Sequence, residues 1–268
     1  MAQDIFDRRA RRAHARRADR VRHGFLREAL ADGIADRLSV VRRDFSRVLD
    51  LGGAMGDRLP HALRCGLAHG DVIADEDRLP FADASFDLIV SAGVLQGVGD
   101  LPGALLLARR CLVPDGLFVA SFFGGATLAE VRADLLAAEI ALTGRAAART
   151  HPAVDPREAG ALLQRAGFAL PVADIDTLTV RYDNLVALLA DVRGMGEGNA
   201  LRERVPLRRD VLSDAATRFA ARAGPDGRIA VRIDVVTLTG WAPAPSQPQP
   251  LKPGSATTSL ARALNSRV

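Results

Sequence analysis

Three clusters of residues have the types and spacing to hold a small polar ligand at the ends of buried strands. The first is Arg47-Val-Leu-Asp50-Leu-Gly52-Gly53-Ala-Met-Gly56, an apolar run that ends in an acid and enters a glycine turn. Glycines after a buried strand let the backbone approach a ligand, and the start of a following helix offers free N–H groups. The second is Val72-Ile-Ala-Asp75-Glu76, where an acid at a strand end is placed to bind ribose hydroxyls. The third is Ser91-Ala-Gly-Val-Leu-Gln96-Gly-Val98, after a continuous apolar run. Gln96 can bond a carboxylate or an amide, but it is neither an acid nor a base. Further on, Gly124-Gly125 offers a close backbone approach, and Arg193-Gly-Met-Gly-Glu197-Gly-Asn199 reads as a lid that turns Glu197 and Asn199 toward a substrate. Each feature has a plainer reading as a tight turn, a loop acid or a helix cap. No catalytic acid–base pair is evident.

The distance between the first two clusters is short. Gly52 and Asp75 are 23 positions apart, which fits one helix and one strand but not two of each, since a helix alone usually takes ~10 or more residues. Two registers follow. In one, Val72–Asp75 is the second strand and Asp75 is the ribose acid. In the other the second strand is absent, and Asp75 or Glu76 faces the adenine from a later loop.

The elements that must position these residues alternate. Apolar positions Phe25, Leu26, Leu30, Ile34, Leu38 and Val41 have helical spacing. Strands are expected at Val48–Leu51, Asp71–Ala74, Phe86–Ser91 and Leu117–Phe123, with helices at Asp57–Leu67 and Leu101–Leu112. Pro114-Asp-Gly116 is turn chemistry. Thr127-Leu-Ala-Glu130 reads as a capping box, and Asp155-Pro-Arg-Glu158 opens another helix. Strands are expected again at Ala173–Tyr182 and Ile229–Gly240, with helices near 184–193 and 208–222 between them. The fold class is α/β: a doubly wound, mostly parallel sheet, one strand–helix unit short in its cofactor half, with 124–222 supplying a helical cover. Residues 1–24 form a basic N-terminal helix, 25–242 the main domain and 243–268 a Pro/Gln-rich tail.

Composition narrows the function. The chain has 268 residues, is 48% hydrophobic and 25% charged, and is long enough for one sizeable core. No apolar run approaches the ~20 residues of a membrane span. Cys65 and Cys111 are unlinked, and the five histidines show no ligand spacing, so no metal site is expected. Residues 1–22 hold eight arginines against three aspartates, whereas the rest has 28 basic and 29 acidic groups. That head could touch an anionic membrane weakly, but a solvated helix folded on the domain is the simpler reading. Aromatic residues make up 4% of the chain, too few for stacking platforms, so no nucleic-acid partner is expected. One lysine against 35 arginines suggests a GC-rich bacterial source and a cytoplasmic protein, membrane-peripheral if the head binds lipid.

A resemblance covers nearly the whole chain. Ile5-Phe-Asp-Arg8, Val72–Phe86, Asp100-Leu-Pro102, Pro114-Asp-Gly116, Gly124-Gly-Ala-Thr-Leu128, Arg165-Ala-Gly-Phe168, Met195-Gly-Glu-Gly-Asn199, Gly240-Trp241 and Pro253-Gly-Ser-Ala256 together resemble the methyltransferase-like assembly factors of respiratory complex I and their alphaproteobacterial relatives. The chain is also similar to the malonyl-carrier-protein methyltransferase of biotin synthesis. The resemblance implies a class I methyltransferase fold and S-adenosylmethionine (SAM) as cofactor. It also implies a protein side chain, in a respiratory complex subunit, as substrate. Asp50, Gly52, Gly53, Gly56, Asp75, Glu76 and Gln96 would then bind the cofactor, and Gly124, Gly125, Glu197 and Asn199 the substrate. The chain departs from the family at the glycine turn, in the shortened stretch before Asp75, and at Leu95-Gln-Gly-Val98, where the family has L-H-W-V. These departures all lie in the cofactor half, so a non-catalytic assembly module is the alternative to an enzyme.

Overall fold

Val48–Leu51 (β1) is buried at all four positions and Phe86–Ala92 (β4) at all seven, as parallel strands covered on both faces are. They are central in a seven-stranded sheet of order β3-β2-β1-β4-β5-β7-β6, with β2 at Leu63–Gly66, β3 at Val72–Ile73, β5 at Leu112–Gly124, β6 at Ala169–Tyr182 and β7 at Ile229–Trp241. β1 to β5 run parallel, and β7 pairs antiparallel with both β5 and β6. The computed structural model describes residues 4–247 and 259. Most of the expected tail, including Pro253-Gly-Ser-Ala256, lies outside them. Its first residues are held: Gln247 Nε2 donates to Asp115 Oδ1 and to the Ala242 carbonyl, each at 2.9 Å.

The shortfall in the cofactor half is of helices, not strands. Asp57–Leu67 is not a helix: a single 3-10 turn at Gly56–Arg58 is followed directly by β2. Pro60 explains this, because a proline inside a helix removes an N–H and clashes with the preceding turn. All seven strands are present, so the sheet is not a strand–helix unit short. Neither expected register holds either. Val72–Ile73 is the third strand, paired to the second through Cys65↔Val72 and Gly66↔Ile73, and Asp75 follows it.

Two other local expectations differ. Thr127 does not cap a helix: its hydroxyl donates to the Gly124 carbonyl (2.7 Å) and accepts the Asp234 N–H (2.9 Å). The helix starts later, at Ala129–Thr143 (α5), behind a left-handed Leu128. Pro114-Asp-Gly116 makes a bulge inside β5, where the register jumps from Phe86↔Leu112 to Leu88↔Leu117 and Asp115 takes φ 62°.

The helical segments match their signals. Phe25–Ser39 (α3) lays Leu26, Leu30, Ala31 and Ile34 against the sheet. Leu101–Cys111 (α4) is capped by Asp100, and Pro156–Arg165 (α6) by Asp155. Leu185–Met195 (α7) is capped by Asn184 and stopped by Gly196 at φ 86°; Arg209–Ala220 (α8) follows. Leu185, Leu188, Val211 and Phe219 from these last two helices join Val131 and Leu135 of α5 over the far ends of β6 and β7. This second core is the expected cover. The basic head forms Arg8–Arg17 (α1) and Arg20–His23 (α2). Its Phe6 is 2% exposed and packs on Ala200 and Leu201, with Ala10 against the same cluster.

Candidate functional site

β1 ends at a turn that Asp50 folds. Its carboxylate, 1% exposed, accepts the N–H groups of Ala54 (3.3 Å) and Met55 (2.9 Å). Burial pushes the Asp50 carboxyl up, and those two bonds oppose the shift. Gly52, Gly53 and Gly56 all have positive φ, at 100°, 66° and 54°. Space separates them. A Cβ on Gly52 would lie 2.7 Å from Val94 Cγ1 and 2.8 Å from Arg27 Nη2, whereas one on Gly56 would meet nothing within 4 Å.

Arg27, from α3, donates to the Gly52 carbonyl at 2.5 Å. Burial, with Arg20 nearby, lowers its pKa to about 10. Arg20, from α2, is also shifted down by burial and is held up by the fields of Asp50 and Glu197. The Nε atoms of both arginines are buried without a hydrogen-bond partner. The turn is therefore faced by two cations with spare donors. That chemistry suits a carboxylate.

Beyond β3, an acidic triplet meets the head. Arg8 Nη1 lies 2.9 Å from Asp75 Oδ2, and Arg12 Nη2 lies 3.0 Å from Asp75 Oδ1. Arg8 also forms a two-pronged pair with Asp77, at 2.7 and 2.5 Å. Arg11 Nη2 meets Glu76 Oε2 at 3.1 Å, while Glu76 Oε1 stays buried and unpartnered. Burial pushes the Glu76 carboxyl up; Arg11 is the leading opposing influence. Sequence reasoning passed over Arg8, Arg11, Arg12, Arg20 and Arg27. For all but Arg27 the signal was available in the eight arginines of residues 1–22 set against the acid triplet at 75–77.

Gln96, expected at the cofactor, and Glu197, expected at the substrate, are in contact. Gln96 Nε2 donates to Glu197 Oε1 at 3.0 Å, and Gln96 Oε1 is buried without a partner. Burial raises the Glu197 pKa against the Gln96 bond and the fields of Arg27 and Arg11. Both residues line a cavity of about 620 Å³ between the sheet and its helical cover. Gly124 and Asn199 line it too, but Asn199 is engaged with backbone: Oδ1 accepts the Leu201 N–H at 2.9 Å. Gly125 packs on β7, where a Cβ would lie 2.7 Å from Asp234 Oδ2. His151 also lines the cavity. Its ring stands edge-on to Phe6 at 4.8 Å, and burial lowers its pKa to about 4, so it is neutral near pH 7.

SAM can be tested against these residues in three parts. The methionine end fits, with Gln96 Oε1 and the Arg20 and Arg27 Nε atoms unpartnered beside a turn in which only glycine is tolerated at position 52. The adenine end fits, with Glu76 Oε1 free. The ribose is the poor fit. β2 runs into Gly66-Leu67-Ala68 with no acid, and Asp71 accepts the Arg64 N–H at 2.8 Å. Among the described residues no group of His, Cys, Asp and Glu is arranged for a metal, and no helix is long and apolar enough to cross a membrane.

Comparison with known proteins agrees with this geometry. A family model described as a methyltransferase domain matches residues 57–120. The structure of the YcgJ protein from Bacillus subtilis superposes with a TM-score of 0.53 at 16% identity, covering 80% of this chain and 98% of that one. The malonyl-[acyl-carrier protein] O-methyltransferase of Halorhodospira halophila is 32% identical over 85% of this chain and 84% of its own. The mouse mitochondrial protein named arginine-hydroxylase NDUFAF5 is 35% identical over 97% of this chain and 83% of its own. The fold is that of the Rossmann-like class I methyltransferases, and the chain belongs to the methyltransferase-like family of which arginine-hydroxylase NDUFAF5 is a member.

Proposed function

We propose that this protein is a SAM-dependent enzyme that modifies a protein side chain during assembly of a respiratory complex. The observation that carries the reading is the Gln96–Glu197 contact at 3.0 Å, because it joins the cofactor face of β4 to the cavity under the cover. Kinship with a protein named arginine-hydroxylase supports a side-chain substrate. Gln96, Arg20 and Arg27 would hold the methionine end and Glu76 the adenine. Bound there, SAM supplies an electrophilic methyl group. Glu197, enclosed and acceptor-bearing, would orient a donor-rich side chain. Transfer from a sulfonium needs alignment and exclusion of water more than an acid–base pair. Calorimetric titration of the folded, ligand-free chain with SAM and with S-adenosylhomocysteine tests this. Micromolar binding of both is expected; binding no tighter than millimolar for both overturns it.

A second reading has its own observation. Asp75 and Glu76 are already paired with arginines of α1, and no acid stands at the end of β2. A non-catalytic assembly factor would retain the family fold under those conditions. It predicts that Gln96→Ala combined with Glu197→Ala, folded and at normal abundance, rescues a deletion of the gene. Failure of rescue favours the enzyme.

A further inference from the structure

The cavity under the cover has a composition that a protein side chain does not account for. Its volume of about 620 Å³ is in the ~300–1,000 Å³ range of sites that enclose a whole small molecule. Its walls are largely aliphatic, with Val131 and Leu135 from α5, Leu188 and Val192 from α7, and Ile233 from β7 among them. Glu197 is its one acid, against Arg132, Arg149, Arg193 and Arg204.

Those four arginines are not equivalent. Arg149 pairs with Glu139, and Arg204 with Asp7 at 2.8 Å. Arg132 keeps a buried Nε without a partner. Arg193 is exposed and lines the cavity, with no ion pair or side-chain hydrogen bond among the described residues. Two guanidinium groups are therefore open to an anion. Exposed apolar residues line the cavity as well: Val205 is 54% exposed and Leu207 37% exposed.

We infer that this cavity binds an anionic single-chain amphiphile: a medium or long acyl chain along the aliphatic walls, its carboxylate or phosphate at Arg132 and Arg193. Burial of the chain supplies the affinity, which grows with each methylene enclosed. The guanidinium groups select the sign of the head group, since a charge-assisted bond to an oxyanion is stronger than a neutral one. The site extends beyond the reading above and does not depend on SAM binding.

The test uses the full chain without cofactor and three probes of equal chain length: dodecanoate, dodecanol and dodecyltrimethylammonium. Calorimetry is expected to rank dodecanoate tightest, with the cation weakest. Val192→Trp, which fills the cavity from a partly exposed position, should abolish binding of all three while leaving the thermal midpoint near that of the wild type. Arg132→Gln with Arg193→Gln should weaken dodecanoate about tenfold, to the level of dodecanol, without moving dodecanol. Equal affinity for the three probes, no binding of any, or full binding by a folded Val192→Trp variant overturns the site. Vesicles of phosphatidylcholine with the single-chain anionic lysophosphatidylglycerol separate the sources. Sedimentation with them that Val192→Trp abolishes assigns a membrane lipid as the ligand; dodecanoate binding without sedimentation assigns a free acid. A chain that binds dodecanoate but no SAM overturns the enzyme reading alone, and the converse overturns this site alone.

Discussion

Arg11 Nη2 lies 3.1 Å from Glu76 Oε2, and the two side chains are 10% and 3% exposed. A charge on the head helix is thus buried against a charge on the central domain, 65 positions away in sequence. Removing one partner of a buried pair leaves an uncompensated charge and costs more than the pair itself contributes. Arg11→Ala is expected to destabilise the protein by about 3 kcal/mol, and Arg11→Met with Glu76→Gln by much less. Denaturant midpoints at neutral pH check this. Equal losses in the two variants would show that Arg11 acts by packing rather than by charge.

Glu197 should set a pH dependence. Burial raises its folded pKa above the unfolded value, so the folded state favours the protonated form. Its contribution is fully present below the unfolded pKa and is lost as pH rises through the folded one. Glu197→Gln removes that loss. The variant should be more stable than the wild type at pH 8 and indistinguishable from it at pH 4. A stability gap that is the same at both pH values would place the effect elsewhere.

The three glycines of the β1 turn should respond unequally. At Gly56, φ is 54° and a Cβ meets nothing within 4 Å, so Gly56→Ala carries only the left-handed penalty of roughly 1–2 kcal/mol. At Gly52, φ is 100° and the Cβ would press on Val94 and on Arg27. Gly52→Ala should cost more than Gly56→Ala and should displace Arg27. Thermal midpoints of the two variants check the order. If SAM binds, Gly52→Ala should lose it first.

The sequence made the strand–helix alternation legible because buried parallel strands leave continuous apolar runs, as at Val48–Leu51 and Phe86–Ala92. The cap at Asp155 was readable because it is local: its bond closes within three residues. The region Asp57–Leu67 was misread as a helix because a strand of four residues, Leu63–Gly66, carries little periodicity, and Pro60 was the warning. The expected capping box at Thr127 failed to a tertiary partner, since Asp234 is 107 positions away and competes for the hydroxyl. The glycines and acids at the sheet ends stand out in the sequence itself. Their counter-charges do not, because Arg8, Arg11 and Arg12 reach Asp75, Glu76 and Asp77 only through the folded chain.

Those long-range pairs yield a last prediction, about the head as a whole. A chain starting at His23 loses Arg8, Arg11, Arg12 and Arg20 together, and leaves Asp75, Glu76 and Asp77 as three adjacent acids without their partners. Like charges so close disfavour the ionised form, so Glu76 should take up a proton more readily than in the full chain. Burial already raises the folded pKa of Glu76, and losing Arg11 removes its leading opposition. Stability of the truncated chain should therefore fall as pH rises through the folded pKa of Glu76. The full chain should lose far less over the same interval, because its acids remain paired. Added salt should narrow the difference, since the Debye length falls to roughly 3 Å at 1 M. Urea midpoints of both chains at pH 5 and pH 8, at low and high salt, check it. A truncated chain as stable as the full one at pH 8 and low salt would mean that α1 rests on the domain without contributing to it.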